Sequence, residues 1–177
     1  MFQLKKQVPV CFFLFFLLGI LYANFSFESI SDSGNIFSEY YLNRYRNMEF
    51  KFVEYMVYLL RIRMTSIMIV LAVSFTRFRK AAAWGYMGWT GFLAGFLMAA
   101  AVSSLGIKGS ILCVIGIFPH FICYIPAYFV VWWYALSYPQ NRWNSQKTVF
   151  VFATVLTGIV LEAYVNPVIV KGFLKIL

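Results

Sequence analysis

The chain has 177 residues, of which 62% are hydrophobic, 21% aromatic and only 12% charged. A soluble domain carries about twice that charge, and several apolar runs reach the roughly 20 residues a helix needs to cross a bilayer core, so a soluble protein is excluded. The net charge of +9 comes from bases that flank apolar runs rather than form a patch, which points to topology control and contact with anionic lipid and away from nucleic acid.

Five candidate spans follow in chain order. The first, VPVCFFLFFLLGILYA at 8–23, lies behind Lys5 and Lys6. Its basic start, short apolar centre and Ala23 also match the outline of a signal peptide, but its cleavage-site chemistry is weak, which favours a retained anchor. Residues 24–54 form a polar outer loop that includes Glu28, Asp32, Glu39 and Glu49. Within it SDSG breaks the chain, and FSEYYLNRY spaces its aromatics as a short amphipathic helix at the membrane interface would.

The second span, 55–76, carries Arg61 and Arg63 in its outer part and ends at the basic cluster RFRK, 77–80. The third, 81–105, contains WGYMGWTGFLAGFLMAAA. There Gly88, Gly91 and Gly95 form a packing face that Ala99 continues, with Gly91 and Gly95 in G-x-x-x-G spacing. Small residues let two helix backbones approach closely in lipid; the partner is either another helix of this chain or a second subunit. GIKGS, 106–110, reads as a tight turn.

The fourth span, 110–136, includes GIFPHFICYIPAYF, with Pro119, Pro126 and the chain's single histidine, His120. Proline removes helical donors, and broken helices persist at membrane depth only when buried in protein or facing water. This span is therefore expected to be kinked or divided and centrally packed, with His120 placed to meet a freed carbonyl. The polar connection YPQNRWNSQK, 138–147, leads to the fifth span, 148–170, and a short tail. With a cytoplasmic amino terminus, the inner segments hold Lys5, Lys6, Arg77, Arg79, Lys80, Arg142 and Lys147 and no acid. That asymmetry obeys the positive-inside rule and puts the carboxyl terminus outside.

Glu162 is the one acid deep in an apolar span. Counting about 1.5 Å per residue, Glu162 stands roughly 21 Å above the cytoplasmic end of its helix, Arg61 and Arg63 roughly 20–23 Å, and His120 roughly 24 Å. All four fall at one level in the outer half of the membrane, so Glu162 is expected to contact Arg61, Arg63 or His120. Such a layer is either a satisfied polar cluster that holds helices together or a proton or substrate path. Alternatively, the two arginines snorkel to the headgroups.

Cys11, Cys113 and Cys123 lie in apolar runs without metal-binding spacing and read as small hydrophobes. The sequence holds no H-E-x-x-H, G-x-S-x-G or Walker motif and no paired carboxylates. No catalytic, metal or cofactor-binding residue is expected, and the protein reads as a non-enzyme. The expected fold is a single membrane domain, 1–177: an all-α integral membrane protein, a bundle of about five transmembrane helices with the fourth broken by prolines.

PHFICYIPA, 119–127, resembles the PHGIFELPA-type signature of the stage II sporulation protein M family, and EAYVNP, 162–167, resembles that family's late E-A-(aromatic)-x-x-P segment. Pro119, His120, Ile122, Pro126, Ala127, Glu162, Ala163 and Pro167 match; Phe121 replaces the signature glycine and Tyr124 its glutamate. The order of spans also fits over nearly the whole chain, although the specific motifs cover about fifteen residues. The resemblance implies a non-enzymatic, multi-pass protein of the bacterial cell membrane. Sporulation members act with two cell-wall-degrading partners during engulfment, and shorter relatives accompany transport components in circular bacteriocin clusters. The expected role is a scaffold of an envelope-remodelling complex, in contact with membrane lipids and with membrane or cell-wall-hydrolase proteins. The alternative is a membrane component of an ABC-type export or immunity system, and a small-solute transporter ranks third. The oligomeric state stays open.

Overall fold

A computed structural model of the chain describes residues 2–26, 37–49 and 51–176, with side chains from residue 7 onward. The described residues form seven helices: α1 (Phe2–Phe25), α2 (Glu39–Asn47), α3 (Phe52–Ser74), α4 (Arg79–Leu105), α5 (Ile107–Ile117), α6 (Phe121–Ser137) and α7 (Ser145–Leu174). In lipid every backbone polar group must be satisfied internally, and a helix does this within one segment. Four of them, α1 from Gln7, α3, α4 and α7, are long and apolar enough to cross a membrane. Neither α5 nor α6 is so alone; taken together, the bent pair has the length and apolarity of a fifth, broken span. The protein is an all-α, multi-pass membrane protein.

The break in that span falls at Pro119 and His120, where the chain bends by 66° between α5 and α6. Proline cannot donate to the preceding turn, so α5 stops at Ile117 and α6 restarts with His120 as its amino-terminal cap residue. Pro126, in contrast, lies inside α6; only one of the two prolines divides the span. The expected turn at GIKGS is reduced to Gly106, whose φ of +61° is open to glycine at no steric cost, and helix resumes at Ile107. The expected helix over FSEYYLNRY is present as α2, while SDSG lies outside the described residues.

Contacts gather the chain into two compact units. The first contains α1, α2, α4 from Trp84 and the start of α5. Here the small-residue face of α4 is filled by α1. A Cβ built on Gly95 would strike the Phe16 carbonyl, one on Gly91 would come 2.7 Å from the Phe12 carbonyl, and one on Gly88 would press the Phe15 ring at 3.1 Å. Gly19 answers from α1, where a Cβ would strike the Phe92 carbonyl. The glycine face therefore packs within the chain. Backbone contact of this closeness is how helices associate where the surrounding lipid is as apolar as their side chains. Gly109 repeats the device: its Cβ would strike the Ala101 carbonyl, so α5 turns back tightly along the end of α4.

The second unit comprises Glu49–Ala83 and Ile115–Gly172. Its core joins Leu59, Ile67 and Leu71 of α3, Tyr124, Ala127 and Val131 of α6, and Val151, Val155, Ile159 and Ala163 of α7. Residues four apart share a helix face, so Leu59, Ile67 and Leu71 mark one stripe of α3 that also carries Arg63. In α7, Glu162 belongs to the stripe of Val151, Val155 and Ile159. One end of this unit is closed by aromatics: Phe75 and Tyr134 lie 5.4 Å apart between ring centroids, Tyr134 and Trp143 5.2 Å, and the Arg79 guanidinium sits 3.8 Å over the Tyr138 ring. Aromatic belts of this kind mark the membrane–water boundary. The basic segments 77–80 and 138–147 thus meet at the same end of the unit.

Candidate functional site

Lipid offers no solvation to a carboxylate, so a buried glutamate must be met by donors supplied by its own protein. Glu162 is 5% exposed and is held from two other helices. From α3, Arg63 Nε donates to Oε2 at 2.9 Å while Nη2 donates to Oε1. From α6, the Tyr124 hydroxyl donates to Oε2 at 2.7 Å. The two parallel bonds from one guanidinium form the forked pairing that makes arginine the strongest partner for a carboxylate. The guanidinium also lies 5.3 Å from the Tyr124 ring centroid, within the range of a cation–π contact. Three helices are tied through one carboxylate.

The Tyr124 ring reaches this position because α7 carries no side chain opposite it. A Cβ on Gly158 would come 2.5 Å from Tyr124 Cε1. His120 sits one turn earlier on α6, 3% exposed, with its ring edge-on to Tyr124 at 5.6 Å. Its Nδ1 makes no hydrogen bond, so this nitrogen does not cap a freed carbonyl. Asn166 Oδ1, one turn beyond Glu162 on α7, is also buried and accepts no hydrogen bond. A separate bond joins α6 to α3, from the Tyr128 hydroxyl to Ser66 Oγ at 3.1 Å.

Of the four residues assigned to the polar layer, Arg63 and Glu162 are in direct contact and His120 joins through Tyr124. Arg61 is exposed. At about 100° per residue it lies roughly 200° around α3 from the stripe of Leu59 and Arg63, the position from which a long side chain snorkels to the headgroups. Among the resembled motif positions, Ala127 and Ala163 are completely buried in the unit's core and Pro167 is fully buried in α7. Cys11, Cys113 and Cys123 are unpaired and partly buried.

Sequence reasoning passed over Tyr124 except as a departure from the signature. A signal was present: a tyrosine on the buried face of an apolar helix needs a partner for its hydroxyl. The departure also has a physical consequence. A glutamate at position 124 would set a second carboxylate beside Glu162, whereas tyrosine donates to it. Tyr124→Phe removes that one bond and leaves the arginine fork, so we expect a loss of about 1–2 kcal/mol, read as a lower unfolding midpoint in detergent with the protein still assembled. Tyr124→Glu, which adds like charge to the site, is expected to cost more than Tyr124→Phe in the same assay.

The arrangement holds a carboxylate rather than presenting it: both oxygens are occupied and the group is enclosed. No protein-family model, curated protein or solved structure matches the chain.

Proposed function

We propose that this chain is a non-enzymatic membrane scaffold, a component of an envelope-remodelling complex like that of the stage II sporulation protein M family. In this reading it lies in a bacterial cell membrane with the amino terminus cytoplasmic and the carboxyl terminus outside, and its partners are cell-wall hydrolases or other membrane proteins. The observation that carries the proposal is the closure of the Glu162 site by Arg63 and Tyr124. A scaffold needs a rigid set of helices, and a forked ion pair braced by a third helix supplies rigidity in lipid. The meeting of segments 77–80 and 138–147 at one aromatic-lined end supports the orientation, since both are basic and lack acids.

A second reading, a membrane component of an ABC-type export or immunity system, draws on the buried, unpartnered His120 Nδ1 and Asn166 Oδ1. Polar atoms left open beside a buried charge are features of a path as well as of a brace. Glu162→Gln in the producing cell separates the two. A scaffold loses abundance and co-purification of its partners together. If the variant instead stays assembled at normal level while export of a peptide falls, the scaffold reading fails.

A further inference from the structure

A cleft of about 410 Å³ opens in the second unit between the end of α6 and the start of α7. Its floor is apolar: Phe129, Val130 and Trp133 from α6, and Phe150 from α7. Phe129 and Trp133 stack at 6.0 Å and 21°, which makes one flat wall, and Phe129 and Phe150 are 52% and 44% exposed. Its rim is polar: Asn141, Asn144, Gln146 and Lys147. The same end of the unit carries the aromatic cluster of Phe75, Tyr134 and Trp143, so the rim stands at headgroup depth and the floor points into the acyl region.

The Lys147 ammonium is positioned rather than neutralised. Two of its three donors go to the Asn141 side-chain oxygen and the Arg142 carbonyl, both uncharged, so the full positive charge is retained at the rim. Segment 138–147 contains no acid to offset that charge. Amide side chains at the rim donate to phosphate oxygens without discriminating by charge, and the lysine supplies the preference for an anion. An apolar wall of this depth beneath a cationic, amide-rich rim matches an amphiphile with a negative head.

We propose that this cleft is a binding site for an anionic glycerophospholipid, with one acyl chain along Phe129, Trp133 and Phe150 and the phosphate headgroup at Lys147, Asn144 and Gln146. The occupant is a lipid rather than a helix of another protein because the charge complement is carried at headgroup depth while the wall below is purely apolar.

The full chain, purified in detergent, is titrated with phosphatidylglycerol and separately with phosphatidylcholine, and bound lipid is counted by native mass spectrometry. Phosphatidylglycerol is expected to bind several-fold more tightly. Lys147→Gln is expected to lower its affinity about fivefold, the effect of one lysine near an anionic surface, and to leave phosphatidylcholine unchanged; Lys175→Gln, a cation outside the cleft, has no such effect. Equal binding of the two lipids, or equal losses in the two variants, overturns the proposal. An independent measurement needs no variant: a photoactivatable phosphatidylglycerol in nanodiscs is expected to label the wild-type chain preferentially at 129–133 and 150. Labelling spread evenly over the apolar spans, or a cleft shielded from lipid by a second copy of the chain, also overturns it.

Discussion

Glu162→Ala is expected to lower the stability of the protein by about 3–5 kcal/mol, the cost of breaking a buried ion pair from one side. The alanine leaves the Arg63 guanidinium without its carboxylate and the Tyr124 hydroxyl without its acceptor. Arginine cannot shed its proton to escape, so its charge must either stay unpaired among α3, α6 and α7 or drag the side chain outward. Thermal unfolding in detergent, with folded protein in the membrane fraction as a second readout, measures the loss. The companion variant is the pair Arg63→Met with Glu162→Leu. Apolar residues of similar volume in place of both charges often recover the original stability, so the double variant is expected to regain most of the loss and to stay below the wild type by about 1–2 kcal/mol, the cost of the orphaned Tyr124 hydroxyl. If Glu162→Ala instead unfolds at the wild-type midpoint, the helices are held by something other than the ion pair, and the bracing role assigned to Glu162 is wrong.

A second large effect is expected at the α1–α4 contact. Gly95→Ala places a methyl group against the Phe16 backbone carbonyl. That atom belongs to a helix and cannot swing aside, so α1 must move as a body. A cost of about 1–3 kcal/mol is expected from the overpacking, and more for Gly95→Leu. Gly85 lies on the same helix with nothing within 4 Å of a Cβ. Gly85→Ala should therefore be neutral or stabilising by up to about 1 kcal/mol through helix propensity alone. Unfolding of the two single variants, followed by tryptophan fluorescence, tests the contrast directly. Equal midpoints for Gly85→Ala and Gly95→Ala would show that α1 and α4 do not rest on that face.

Much of this architecture is legible in the sequence because each feature has a local cause. Apolar length sets the spans, since a bilayer of fixed thickness demands it. Pro119 sets the break, since a residue without an amide donor cannot continue the turn before it. Pro126 looks equivalent in the sequence and is not, because the surrounding α6 keeps its course where Tyr124, Ala127 and Val131 are buried in the core. A single missing hydrogen bond is tolerated where neighbouring helices support the segment. G-x-x-x-G likewise announces a close helix contact but not its partner; α1 is found there only once the chain is folded.

The site follows the same division. That an acid in an apolar span requires a donor is dictated by the cost of an unpaired charge in hydrocarbon, so Glu162 and the short list of Arg61, Arg63 and His120 come from the sequence. The choice of Arg63, and the entry of Tyr124, come from tertiary structure. A soluble helix would reveal its inner face by alternation of apolar and polar residues, and Arg61 and Arg63 would then be distinguishable by position. Here α3 is apolar nearly all round because lipid and protein interior accept the same side chains, so the sequence carries no mark of which side faces α6 and α7. Packing decides that: Leu59, Ile67 and Leu71 of α3 are buried in one core with Tyr124, Ala127 and Ala163, and the rotation this imposes turns Arg63 inward to Glu162 and Arg61 out.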